Sequence, residues 1–239
     1  MTSVRTRSRF YLLMVSMIAL LAIIGFTRRY FFPLAGGDFH APALLHLHGI
    51  VTFFWLALLI LQSILVFTGR MSWHRSMGMA GISVATILLY TALQVAILLL
   101  SRELSEGGPS PREFNATLLS LVLMASILFA YAIAMVKRPD VHKRLMLLTA
   151  IVILTPALAR IIQIIAPSLG RLERNDYAGL ASDLLILIPI VHDIRVRGRP
   201  HDAYIVSLLG IIAIQLATIT FRDSYAWYCA TEWIAKLAG

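Results

Sequence analysis

Long apolar runs alternate along this chain with short stretches where charge, proline and glycine collect. Seven runs approach the roughly 20 residues that a membrane-crossing helix needs: residues 10–26, 43–68, 77–100, 116–136, 145–166, 178–191 and 203–221. The pattern predicts an all-α polytopic bundle of seven transmembrane helices. The sixth run is short. At about 1.5 Å per residue its apolar part covers about 21 Å, so it must borrow Tyr177 and residues 192–194 or sit where the membrane thins. Residues 27–42 read as a loop whose Tyr30, Phe31 and Phe32 anchor at the interface. Gly107-Gly108-Pro109 and Pro111 predict an exposed loop over 101–115. The tail, with Tyr225, Trp227, Tyr228 and Trp233, reads as an interfacial amphipathic segment over 224–238. No linker is long enough to separate independent folding units, so 1–239 is expected to form a single integral membrane domain.

Composition agrees with the pattern. With 59% hydrophobic residues, 14% charged residues and a mean hydropathy of +0.82, the chain has too little polar surface to coat a soluble globule. The first run follows Arg5, Arg7 and Arg9 and lacks a small-residue cleavage site directly after it, so it reads as a retained signal anchor. Cys229 is the only cysteine, which excludes an intrachain disulfide and a thiolate metal cluster. The net charge of +9 has a location. If the N-terminus is cytoplasmic, the inner segments hold twelve basic residues against three acids, and the outer segments eight against eight. The bias predicts an N-in, C-out topology. The basic residues lie in short turns at span ends, where anionic headgroups on the cytoplasmic side attract them, and nucleic acid is a poor partner for such a chain.

Three of those turns share one form: Arg70-Met-Ser-Trp-His74, Arg138-Pro-Asp-Val-His142 and Arg197-Gly-Arg-Pro-His201. Each closes one span and opens the next. The R-x-x-x-H repeat is either a trace of a duplicated helical hairpin or a product of the positive-inside bias.

Ionisable groups inside a span cost on the order of 3 kcal/mol at mid-helix, so each needs a partner or a role. Arg160 and Asp183 lie at matching depth in the fifth and sixth spans. A guanidinium–carboxylate pair between them is expected, acting as a pin or as a buried site for an anionic or carbonyl group. Gln94 and Gln163 lie at the same level, as do His46, His48 and Gln215, and a polar pocket in the outer leaflet follows from facing such groups inward.

At about 100° per residue, His48 shares a stripe with Thr52, Trp55, Leu59 and Gln62, while His46 points nearly the opposite way. His48 is therefore expected inside the bundle and His46 in packing or at the interface. An H-x-H pair splays its imidazoles, so it suits metal poorly, and no metal beyond a heme iron is expected. For heme, axial histidines on facing helices are wanted. His74 and His142 open two spans on the inner side, with Arg70, Arg75, Lys143 and Arg144 available for propionates and His192 and His201 as spare ligands; the competing reading has these side chains binding headgroups and helix-end carbonyls.

The stretch from the H-x-H through GRMSWHRSMGMAG, with KRPDVHKRLMLL as a second box, resembles a group of uncharacterised bacterial multi-pass membrane proteins marked by a His-bearing helix followed by a G-R-x-x-x-H-R-x-x-G turn. The plan is more remotely similar to cytochrome b561-type proteins, which hold b hemes between helices by histidine pairs and pass electrons across a membrane. The resemblance implies His74 and His142 as an inner axial pair, His48 as one outer ligand, heme b as cofactor with quinone as a candidate second one, and the bacterial inner (cytoplasmic) membrane as the location. The fourth run contains no histidine to complete an outer pair.

Two functions stand. One is a b561-like heme-binding redox protein; the other is a non-catalytic transporter, or an accessory subunit with a membrane-protein partner, built around the outer polar pocket. Signatures of soluble enzymes are missing, with no phosphate loop, nucleophile elbow or H-E-x-x-H, and no catalytic residue is assigned.

Overall fold

The computed structural model describes residues 2–37, 40–106, 111–166 and 176–238. Among them all regular structure is helical: α1 (Thr2–Phe26), a π-helical turn (Thr27–Phe31), α2 (Phe32–Gly36), α3 (Ala43–Phe67), α4 (Met71–Glu106), α5 (Pro111–Ala134), α6 (Pro139–Ile165), α7 (Asp176–Arg197), α8 (Asp202–Phe221) and α9 (Tyr225–Ala238). Among the described residues, seven stretches are long and apolar enough to cross a membrane: Arg9–Gly36, Ala43–Phe67, Met71–Arg102, Asn115–Ala134, Pro139–Ile165, Tyr177–Arg197 and Asp202–Phe221. The chain is a multi-pass integral membrane protein with an all-α fold.

Two boundaries differ from expectation, and the sixth span extends past its apolar run in the way its shortness required. The aromatic stretch after residue 26 is helical, because nothing breaks the helix before Gly37, whose φ of +80° ends α2. Pro33 causes no break because it lies in the first turn of α2, where a missing N–H leaves no bond unmade. The expected loop over 101–115 is helical at both sides: α4 continues to Glu106, and Pro111 opens α5. Gly107, Gly108 and Pro109 lie outside the described residues. The sixth span is longer than its apolar run, since α7 carries on through His192, Asp193 and Arg195 to Arg197.

The chain divides into two compact units, Met1–Ala92 and Leu93–Gly239, with the boundary inside α4. In the first unit α1 packs on α3. The buried residues of α1, Tyr11, Met14, Val15, Ile18, Ala19 and Ala22, recur every three or four positions and form one stripe. The end of α3 is a Schellman turn: Arg70 N–H reaches the Leu65 carbonyl at 2.8 Å and Gly69 N–H the Val66 carbonyl at 3.1 Å, with Gly69 at φ +75°.

In the second unit α6 is the hub, packed against α5, α7 and α8. Some 61% of its apolar window is buried inside the protein, against 11–33% for the other spans. Its apolar residues surround the helix instead of forming a stripe, as a central helix requires. Asn115, buried on α5, donates Nδ2–H to the Ala96 carbonyl of α4 at 2.6 Å. The short helix α9 buries Trp227 and Thr231 and exposes Tyr225, Tyr228, Trp233 and Cys229, which gives it the two faces expected of the tail.

Candidate functional site

In the first unit, two polar side chains of α3, His48 and Gln62, reach α4. The Thr91 hydroxyl donates its proton to the Leu88 carbonyl at 3.0 Å, so its oxygen receives the Nδ1–H of His48 at 3.1 Å. Nε2 of His48 is left with its lone pair. Below it, Gln62 donates its amide N–H to Nδ1 and to the carbonyl of His74, 3.1 Å from the latter, and its oxygen accepts from Gly78 N–H at 3.3 Å. Nδ1 of His74 is thereby an acceptor, and the ring proton lies on Nε2. His46 packs differently: its Nδ1 lies 3.3 Å from the Tyr30 hydroxyl, which the π-helical turn carries over to Gly49. Arg70 and Arg75 are exposed.

In the second unit, His142 donates Nδ1–H to the Ala132 carbonyl of α5 at 2.8 Å, leaving its Nε2 with a lone pair. An axial ligand presents such a bare nitrogen while its other ring N–H is held by a partner. His48 and His142 each have the form that heme iron wants. His74 does not, since the Gln62 amide fixes the wrong tautomer for coordination through Nε2. Among the described residues no group of three or more His, Cys, Asp or Glu is placed to hold a metal ion.

Arg160 and Asp183 take other partners than each other. Arg160 Nη1 donates to the Pro156 carbonyl one turn back at 2.8 Å, and Asp183 Oδ1 accepts from Gln215 Nε2 at 3.3 Å. Gln94 and Gln163 are half-buried in the same unit.

The buried ion pair is elsewhere, at the opposite end of α6. Arg144 Nε and Nη2 form a fork on Asp193 Oδ2 and Oδ1 at 2.9 and 2.8 Å, with both side chains almost fully enclosed. Arg144 Nη1 adds a bond to the Asp140 carbonyl, and its guanidinium carbon stands 5.6 Å over the ring of buried Tyr204. Arg197 approaches Asp193 at 3.4 Å from the next turn of α7. His201 donates Nε2–H to the Asp140 carboxylate at 3.0 Å and accepts Ala203 N–H at Nδ1, so it is both a hydrogen-bond partner of that carboxylate and the N-cap of α8. Every polar group in this network faces another, and it ties α6, α7 and α8 together.

No family model, curated protein or solved structure matches the chain.

The remaining polar feature is a small open-sided cavity, about 60 Å³, among α5, α6, α7 and α8. Thr117, Ser120, Thr155, Gly179, Gln215 and Thr218 supply its polar wall, and Leu121, Met124 and Ile219 complete it. Asp183 stands behind it, held by Gln215. Thr155 is 3% exposed and its hydroxyl has no hydrogen-bond partner. The next residue, Pro156, has no N–H to give the Val152 carbonyl, so α6 carries two adjacent polar groups that its own ladder does not serve. The sequence does carry a signal for this wall: Thr117 with Ser120, and Gln215 with Thr218, are spaced three apart and so share a helix face.

Proposed function

We propose that the protein is a non-catalytic membrane transport or accessory protein that takes a small polar solute into the cavity of its second unit, on the outer side of a bacterial cytoplasmic membrane. The observation that carries this reading is the unpartnered hydroxyl of Thr155, buried in the wall of a cavity whose polar side is made of hydroxyls and one carboxamide beside Leu121, Met124 and Ile219. A buried polar group with no partner costs about 1–3 kcal/mol, and a bound solute that pairs with it recovers that cost. The outer placement follows from the N-in assignment, because the cavity lies toward the starts of α5 and α7.

The test is a thermal-shift screen of the purified protein in lipid nanodiscs against sugars, amino acids, amines and salts, run beside Ser120→Leu, which fills the cavity. At least one compound should stabilise the wild type and leave the filled variant unmoved. A screen in which no compound separates the two proteins sinks the reading.

A second reading is favoured by the bare Nε2 atoms of His48 and His142: a b561-like redox protein with heme b, exchanging electrons with quinone. Heme iron, when bound, would supply one-electron redox chemistry; His48 in the first unit and His142 in the second would each offer a ring nitrogen for holding it, with the rings oriented by Thr91 and by the Ala132 carbonyl. Protein expressed with ample heme should then show a b-type α-band on reduction, lost in His142→Ala or His48→Ala. A protein negative in the pyridine-hemochrome assay removes this second reading.

A further inference from the structure

The hydroxyl protons around the cavity are largely committed. Ser120 gives its proton to the Thr117 carbonyl at 2.8 Å and Thr218 gives its own to the Ile214 carbonyl at 2.8 Å. Each hydroxyl has a single proton, so both oxygens can meet a ligand only with lone pairs. Gln215 spends one N–H on Asp183 at 3.3 Å, which directs its carbonyl oxygen away from that carboxylate. The Thr155 hydroxyl keeps its lone pairs whichever way its proton turns. The wall is therefore rich in oxygen acceptors and poor in donors, and it suits a ligand that brings positive charge or N–H groups.

The charge of that ligand follows from what stands behind the wall. No carboxylate lines the cavity among the described residues; Asp183 is linked to it through Gln215, so that its partner is a neutral amide rather than a cation. One negative charge balances one positive charge. A divalent ion would want further carboxylates, and a soft transition metal would want nitrogen or sulfur donors, which this wall does not offer. We infer that the cavity binds a monovalent cation, a sodium ion or an ammonium group, coordinated by the oxygens of Ser120, Thr155, Thr218 and Gln215, with Asp183 as counter-charge. This rests on the solute-binding reading above and names its ligand class. The Val152 carbonyl, deprived of a donor by Pro156, lies one turn from Thr155 and adds acceptor character to the same stretch of α6.

The test uses the full chain in nanodiscs of neutral phosphatidylcholine. Sodium, potassium, ammonium and methylammonium chloride are titrated against choline chloride at constant ionic strength, with the melting temperature as readout. A ligand that binds only the folded state raises that temperature in a saturable way. The wild type should respond to sodium, to ammonium and methylammonium, or to both; the arms separate a bare ion from an amine. Thr155→Val should weaken the midpoint about tenfold, Asp183→Asn should abolish the response, and Ser126→Ala, whose hydroxyl bonds the Val122 carbonyl on α5 away from the cavity, should leave it unchanged. If Asp183→Asn does not fold, Thr155→Val alone carries the comparison. A response equal in choline, or unaltered in both cavity variants, overturns the cation assignment. When neutral solutes still separate the wild type from Ser120→Leu while no cation does, the solute-binding reading survives without it; when nothing separates them, both fall.

Discussion

Arg144 and Asp193 are the residues whose removal should be felt most. A bidentate pair enclosed on all sides leaves an unpaired ion when either partner goes, at a cost of about 3–5 kcal/mol, whereas replacing both by apolar residues is commonly much milder. Arg144→Leu and Asp193→Leu should each sharply lower yield and melting temperature in detergent, and the double variant should recover most of the loss. Arg144→Lys should stay near the single-variant level, because an ammonium cannot reproduce the fork or stack over Tyr204. Recovery with lysine, or none in the double variant, would show that the pair is not what holds α6 to α7. Sequence reasoning by depth looks for a pair at Arg160 and Asp183 and overlooks this one for a definable reason. Marking the fifth run from residue 145 and the sixth to residue 191 leaves Arg144 one position, and Asp193 two positions, outside the apolar stretches. Both then fall among the basic turns. The depth argument itself applies equally well to them: they lie near matching ends of two antiparallel neighbours, and only the habit of stopping a span at its first charge conceals it. The Thr155 hydroxyl is illegible for another reason, since whether a threonine bonds its own helix depends on a rotamer that no pattern encodes.

At the scale of elements, the seven runs are legible because each carries enough apolar length to be unambiguous. The connections are not, because a stretch with aromatics and glycine reads as a loop whether or not a helix runs on through it. The π-helical turn at Thr27–Phe31 is an instance. Its extra residue per turn swings Tyr30 onto α3 and Phe31 against Phe53, with ring centroids 5.1 Å apart. Gly49 accepts this approach, since a Cβ there would lie 3.3 Å from the Tyr30 hydroxyl. Gly49→Leu should therefore destabilise the protein by about 1–3 kcal/mol through overpacking, and most of that penalty should vanish when Tyr30 is changed to alanine in the same chain. Equal penalties with and without Tyr30 would place the strain elsewhere. The three R-x-x-x-H turns also separate at this scale. His74 and His142 are each the fourth residue of their helices, while His201 precedes α8 as its cap, so the third turn shares the letters of the first two without their geometry.

For the molecule as a whole, the charge bias makes a claim about sidedness that labelling can check. In intact cells or spheroplasts a membrane-impermeant maleimide should modify Cys229, which is exposed on α9, without lysis. In a Cys229→Ser background, a cysteine substituted for exposed Ser72, at the first basic turn, should react only after permeabilisation. The reverse pattern would invert the topology and move the cavity to the cytoplasmic side. The same thiol sets a limit on covalent assembly. A chain with one cysteine can be cross-linked by oxidation to a single other copy, so an oxidised ladder on a non-reducing gel must end at two. Whatever larger complex forms in the membrane, each copy can take part in one such link and no more.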